Sequence, residues 1–213
     1  GCQSIAYTYS EPTIFFEYAF DVAALAHEEG LKNVFVSNGY MGEEAAQKIA
    51  PILDGINIDL KGDDQFYRKV CGAKLEPVEH NIDLFQKRGV WVEVTTLLIP
   101  GYNDSEAVLK DLAEFLAGVS PDMPWHISAF YPMHKMKDVP RTGIESLRRG
   151  LLAGRKAGLQ YVYVGNIPGE SENTLCPICK EEQIERMGYS IMRNCVIDGH
   201  CSNCSAKLAG VWK

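Results

Sequence analysis

Apolar and polar positions along this chain follow two rhythms that take turns. In residues 55–62, Gly-Ile-Asn-Ile-Asp-Leu-Lys-Gly, a period of two sends Ile56, Ile58 and Leu60 to one face and Asn57, Asp59 and Lys61 to the other. That is the pattern of a strand with one oily and one polar face. Upstream the period lengthens: Phe15, Tyr18, Ala19, Val22, Leu25 and Ala26 fall at helical spacing, with Thr13 as a candidate N-cap and Gly30 as the stop. The exchange recurs to residue 167. Strands are predicted over residues 4–10, 33–37, 55–62, 90–99, 125–131 and 160–167. Between them, helices are predicted from Thr13 to Gly30, over 43–53, 63–70 and 77–88, through Val108, Leu109, Leu112, Phe115 and Leu116, and over 143–158. Pro12 closes the first strand because it has no amide to give the ladder, and residues 103–105, Asn-Asp-Ser, supply a cap for the fifth helix.

Strands alternating with helices at this interval imply parallel βαβ units, an α/β fold read here as a partial (βα) barrel. Nothing resembles a Gly-x-Gly-x-x-Gly fingerprint after a strand, which argues against a dinucleotide fold. Parallel α/β architectures bind ligands at the carboxyl ends of their strands. Those ends carry Tyr9-Ser10-Glu11, Ser37-Asn38-Gly39, Asp59-Leu60-Lys61, Thr95-Thr96 and Asn166. His126 sits near the start of its strand, on the same face as Ser128. Charges there are expensive unless they pair or bind something, so these positions are read as a rim for a polar small molecule.

Composition narrows the setting. A chain of 213 residues, 46% hydrophobic and 23% charged, suits one large domain or one domain with a small appendage. The net charge of −7 argues against nucleic acid as a partner. No apolar run approaches the roughly 20 residues of a membrane span, and no signal peptide opens the sequence, so no membrane partner is expected and the cytoplasm is the expected compartment. The chain starts at Gly1-Cys2 without an initiator Met and runs at once into a strand, which points to an N-terminally truncated piece.

Beyond residue 169 the character changes, so the chain is divided into 1–169 and a 170–213 tail. Cys176-Pro-Ile-Cys179 and Cys201-Ser-Asn-Cys204 are two Cys-x-x-Cys knuckles, each a chelate bite for one metal. Four thiolates so spaced suit tetrahedral zinc in a zinc-ribbon-like site, with an iron-sulfur cluster as the alternative. Residues 185–197 read as a hairpin turning near Gly188, and 209–212 as a third strand. Cys195 and His200 match neither knuckle, and read as a core cysteine and a surface histidine. A tail this small should draw much of its folding free energy from the metal.

With these positions together, the chain resembles radical S-adenosylmethionine (SAM) enzymes, in the branch related to pyruvate formate-lyase activating enzyme. More narrowly it is similar to the radical SAM member of the AmmeMemoRadiSam system. The resemblance rests on residues 7–15 with Glu17-Tyr18, Ser37-Asn-Gly-Tyr40, Asp59-Leu-Lys61, residues 98–104, Pro124-Trp-His126, and residues 161–166. It implies a TIM-like barrel of parallel strands lacking its first βα unit. It also implies that Glu11 and Pro12 retain half of a Gly-Gly-Glu-Pro motif that binds the SAM amino group. By the same carry-over Ser37 and Asn38 lie near the ribose and methionyl group, Asp59 and Lys61 approach the SAM carboxylate, and His126 stands at the adenosyl end. A zwitterion needs an anion for its ammonium and a cation for its carboxylate, which these residues offer.

One feature of the family is missing: no Cys-x-x-x-Cys-x-x-Cys loop for a [4Fe-4S] cluster occurs in this sequence. That loop is expected upstream of Gly1, so this chain alone is expected to be inactive and to contain no catalytic residue. The full-length protein is expected to be a radical SAM oxidoreductase, activase-like, that cleaves SAM for hydrogen abstraction. Its expected partners are an electron donor, a Memo-like protein, and a substrate, protein or small molecule, that the sequence leaves open. The alternatives are a non-catalytic barrel with a zinc ribbon that binds a protein, and a metal-dependent hydrolase. The five histidines are too scattered to favour the latter.

Overall fold

The computed structural model describes residues 1–167, 172–188 and 190–212, and its contacts divide into two units, Gly1–Thr95 and Thr96–Lys213. The first unit runs β1 (Ser4–Tyr7), a 3₁₀ turn (Pro12–Phe15), α1 (Phe16–Glu28), β2 (Lys32–Ser37), α2 (Glu43–Ile49) and β3 (Gly55–Asp59). A single helical turn, α3 (Asp64–Phe66), continues as a π turn (Tyr67–Cys71), followed by α4 (Glu76–Lys87) and β4 (Trp91–Leu98), which belongs to this unit through Thr95. Neighbouring strands pair in parallel, with Ser4 beside Lys32, Val34 beside Gly55 and Gly55 beside Trp91. Parallel pairing puts the carboxyl ends of β1, β2 and β3 together, where the polar strand ends were predicted to meet.

The alternation in β3 is borne out. Ile56, Ile58 and Leu60 are buried, while Asn57, Asp59 and Lys61 stay partly exposed. In α1 the buried stripe keeps Ala19 and Ala26 of the predicted one but not its larger members Tyr18 and Leu25. Ala19, Ala23 and Ala26 face the core, whereas Tyr18 and Leu25 are 71% and 63% exposed. Alanines at this spacing line a face of minimal girth, with Phe16, Phe20 and Val22 half-buried beside it and Tyr18 and Leu25 turned outward. The helix also starts later than predicted: Thr13 lies inside the 3₁₀ turn, and Glu11 is its N-cap.

In the second unit come α5 (Glu106–Val119), β5 (Trp125–Ala129), α6 (Ile144–Ala157) and β6 (Val162–Gly165). β5 and β6 pair in parallel, with His126 beside Tyr163. Ser105 caps α5, its Oγ accepting from the Val108 amide. α6 presents Gly150 and Gly154 to the strands: a Cβ on Gly154 would lie 2.8 Å from Val162 Cγ2 and 3.0 Å from Trp125 Cε3. Bare backbone here is what allows the helix to seat so closely.

The tail forms a three-stranded antiparallel sheet of β7 (Thr174–Leu175), β8 (Glu182–Met187) and β9 (Ser190–Asn194). Gly188, at φ +58°, takes the hairpin turn expected near it. The third strand is β7, before the hairpin; the predicted strand over 209–212 does not form. Trp212 instead packs on the buried Cys176, Cys201 and Leu208, its Nε1 donating to the Leu208 carbonyl at 2.9 Å. The predicted boundary at 169 falls among residues 168–171, outside those described. No helix among the described residues is long and apolar enough to cross a membrane.

Candidate functional site

Glu11 is the joint of the first unit's carboxyl rim. Pro12, buried at the first position of the 3₁₀ turn, fixes the chain direction there and leaves Glu11 as the cap. Glu11 Oε1 accepts from the Thr13 amide (3.2 Å), the Thr13 hydroxyl (2.8 Å) and the Ser37 hydroxyl (2.7 Å). Glu11 Oε2 accepts from the Asn38 amide at 2.7 Å. One carboxylate thus ties the turn after β1 to the end of β2. Ser37 is buried, and its Oγ also accepts from the Gly39 amide at 3.0 Å. Gly39 itself stands at φ +70°, with Ile58 Cγ2 only 2.6 Å from where a Cβ would be, so both conformation and space demand glycine.

Asp59 completes this rim from β3. An open cleft of about 230 Å³ lies among Tyr9, Ser10, Glu11, Ser37, Asn38 and Asp59. Lys61 Nζ pairs with Asp59 Oδ2 at 2.6 Å, with both side chains roughly two-fifths exposed. The structure therefore brings Glu11, Ser37, Asn38 and Asp59 to one cleft, with Lys61 held at its edge by Asp59. Two carboxylates and an ammonium, with the Ser37 hydroxyl holding Glu11 in place, can bind and orient a zwitterionic ligand.

Two residues that hold this rim escaped the sequence reading. Tyr67, on the π turn, donates its hydroxyl to the Asp59 carbonyl (3.2 Å) and accepts from the Lys61 amide (3.1 Å), fixing the chain between the two charges. Burial raises its pKa well above the ordinary tyrosine value, with Cys71, Asp59 and Glu79 adding to the rise and the Lys61 amide opposing it. Asn81, on α4, donates from Nδ2 to the carbonyls of Gly39 (2.8 Å) and Met41 (2.9 Å), clamping the loop after Asn38. A signal for Asn81 did exist, since an amide sits among Val78, Ile82 and Phe85 on the buried face of α4.

His126 lies in the second unit on β5, partly buried, its ring stacked on Tyr163 of β6 with centroids 5.3 Å apart and planes at 22°. In the tail, Cys176, Cys179, Cys201 and Cys204 place their sulfurs within 4.8 Å of one another. Two of the Sγ pairs, Cys176 with Cys204 and Cys179 with Cys201, are 3.6 Å apart. A tetrahedron with metal–sulfur bonds of about 2.3 Å has edges of about 3.8 Å, so the donor set fits one ion. The Glu181 amide, with help from Asn203 and the neighbouring thiols, lowers the Cys179 pKa to about 6. The Ala206 amide pulls Cys204 the same way, but Cys179, burial, Cys176 and Cys201 outweigh it and push Cys204 up to about 12. Thiols this close share protons, and a cation among them would displace those protons. Cys195 and His200 stand outside the group.

The Radical SAM superfamily model matches residues 1–115, more than half of the chain and the whole of the rim built by Glu11, Ser37, Asn38, Asp59 and Lys61. The chain belongs to the radical SAM superfamily. An uncharacterized protein of Methanocaldococcus jannaschii is 42% identical over 212 residues, covering 98% of this chain and 63% of its own length. Among solved structures, a domain of pyruvate-formate lyase-activating enzyme from Bacteroides vulgatus aligns at TM-score 0.65 and 21% identity, covering 78% of this chain and all of that one. A radical SAM methyltransferase from Sphaerobacter thermophilus aligns at 0.61 and 18%, covering 79% of this chain and 54% of its own. SuiB of Streptococcus suis, solved bound to S-adenosylmethionine, aligns at 0.59 and 13%, covering 76% of this chain and 39% of its own. At such identities the structural likeness establishes the fold. This radical SAM chain therefore spans about 63% of its curated relative.

Membership implies SAM and an iron-sulfur cluster, and the two fare differently against the residues present. The rim suits SAM's zwitterionic end. A SAM-cleaving cluster does not fit this chain, because Cys2 and Cys71 are isolated and exposed, and the described residues contain one metal-sized donor group, in the tail. That group offers four thiolates, and an ion held by all four in a tetrahedron would have no position open for a substrate.

Proposed function

We propose that this radical SAM chain is the SAM-orienting part of a longer, activase-like enzyme. Superfamily chemistry is reductive cleavage of SAM to methionine and a 5′-deoxyadenosyl radical that abstracts hydrogen. The three-cysteine cluster loop for it would be contributed from outside the sequence of this chain. Within the chain, Glu11 and Asp59 receive the SAM ammonium, Lys61 receives the carboxylate, Ser37 and Asn38 shape the wall beside them, and His126 serves the adenosyl end. The observation that carries this reading is the Glu11 carboxylate, locked between the turn after β1 and the end of β2 and opening on a cleft shared with Asp59.

The tail, on this reading, holds zinc. In a [4Fe-4S] cluster each thiolate takes its own iron, so the sulfurs stand farther apart than around one ion, and the 3.6 Å pairs favour the single ion. Metal analysis of the purified chain should return about one zinc per chain and no iron; iron and acid-labile sulfide instead would overturn the assignment. For the enzyme, the longer protein with an upstream cysteine loop, reconstituted anaerobically, should produce 5′-deoxyadenosine from SAM and dithionite. A full cluster that yields none of this product would refute the catalytic reading and leave a binding module.

A further inference from the structure

The ring of Tyr163 lies between His126 and the tail. His126 stacks on Tyr163 at 5.3 Å, and the Arg186 guanidinium, from β8, lies over the same Tyr163 ring with Cζ 5.7 Å from its centroid. The tyrosine hydroxyl shares a 2.9 Å hydrogen bond with Thr174 Oγ1, on β7. Arg186 is in turn fixed by bonds from its guanidinium to Thr174 Oγ1 (2.8 Å) and the Glu172 carbonyl (3.0 Å), and its own amide donates to Asn173 Oδ1 (2.8 Å). Thr174 is buried and stands two residues before the first metal-site cysteine, Cys176. The grip on Tyr163 is therefore built from the β7–β8 pair, at the entrance to the four-cysteine site.

We propose that Thr174 and Arg186 are positioning residues, through which the metal-organised tail sets the place of His126 by holding the ring of Tyr163. The role given to His126 rests on the SAM-orienting reading above; the linkage itself does not. A tail of this size folds on its metal, so the bonds to Tyr163 form when the four thiolates close on an ion. Cation–π and stacking contacts lose their attraction as the partners separate, so an unseated tail lets the Tyr163 ring, and the imidazole lying on it, move. The tail then acts as a removable support for the His126 ring.

The test reads His126 directly. In zinc-loaded full chain with isotope-labelled histidine, the ring resonances of His126 are identified by their loss in His126→Gln. Thr174→Val removes the shared hydroxyl, and Arg186→Met removes the guanidinium while keeping the stem. Both should displace the His126 resonances, as should stripping zinc with a chelator, whereas Thr174→Ser should restore the native position. A tail that merely adds stability would lower the melting temperature in these variants and leave His126 where it was, which would overturn the proposal. Displacement in the variants with none on zinc removal, in chain whose β5 and β6 amides remain dispersed, would overturn it too. SAM binding is measured separately by calorimetry. Thr174→Val should weaken it by roughly two- to fivefold, whereas a native chain that binds no SAM at all refutes the SAM reading and leaves the histidine spectrum to decide the linkage.

Discussion

Glu11→Gln asks whether the carboxylate at the rim is held by the fold as tightly as its four donors suggest. Three donors converge on Oε1 and one on Oε2, at 2.7 to 3.2 Å. A glutamine has one acceptor oxygen in the same outline. Its better orientation keeps that oxygen toward Thr13 and Ser37, and so turns its NH₂ toward the Asn38 amide, donor against donor at a bond length of 2.7 Å. Losing a hydrogen bond to a charged acceptor removes about 1.5–3 kcal/mol, and the three donors that now meet a neutral oxygen each lose a few tenths more. The expected loss is about 3 kcal/mol, large against a domain stability of about 5–15 kcal/mol. Urea unfolding followed by circular dichroism and tryptophan fluorescence measures it as a lower midpoint at unchanged slope. Ser37→Ala closes a double-mutant cycle, in which Glu11 and Ser37 should couple by about 1 kcal/mol or more. A loss for Glu11→Gln below about 1 kcal/mol, with the two substitutions adding to within about 0.3–0.5 kcal/mol, would show that the carboxylate is not the joint of the rim.

Tyr67→Phe should change the alkaline limb of stability. Burial raises the folded-state pKa of Tyr67, so its contribution is intact below the unfolded value of about 10 and is then lost at about 1.4 kcal/mol per pH unit as pH climbs toward the folded value. Melting temperatures from about pH 9 upward should fall less steeply in the variant, with a residual slope from Tyr7 and Tyr161, whose pKa values burial also raises; identical slopes would count against this. In α6, Gly154→Ala gains about 1 kcal/mol of helix propensity but drives a methyl into Val162 and Trp125, an overpacking of about 1–3 kcal/mol, so a net loss of about 1 kcal/mol is expected and a higher melting temperature would sink the argument.

How legible the molecule is from its sequence depends on whether a signal is periodic or three-dimensional. Strand β3 was readable because its two faces alternate without exception from Ile56 to Lys61. The knuckles were readable because a chelate bite is local, and their four sulfurs do converge. For α1 the period marks the helix and two of its buried alanines, Ala19 and Ala26, but it cannot say that Tyr18 and Leu25 stay outside, because only packing distance decides that. The third tail strand was misplaced because β7 has two residues, too short for any period, while Trp212 is apolar for the sake of the cysteine core. Tyr67 was invisible for another reason. Its hydroxyl acts on a strand end eight residues away through a π turn, and no spacing rule links the two.

The way Glu11 is held also constrains how it could meet a ligand. Oε1 already accepts three donors, which exhausts the lone-pair directions of one carboxylate oxygen. Oε2 accepts the Asn38 amide and retains one direction. An ammonium entering the cleft therefore meets Oε2, with Asp59 available as a second anion. Four bonds that exist before any ligand arrives also mean that little ordering remains for binding to accomplish at this residue. The same carboxylate that joins the turn after β1 to the end of β2 thus presents a single, pre-aimed acceptor to the cleft. On the SAM reading, substitutions at Ser37 that loosen Glu11 should weaken cofactor binding even though the Ser37 hydroxyl itself is spent on the carboxylate.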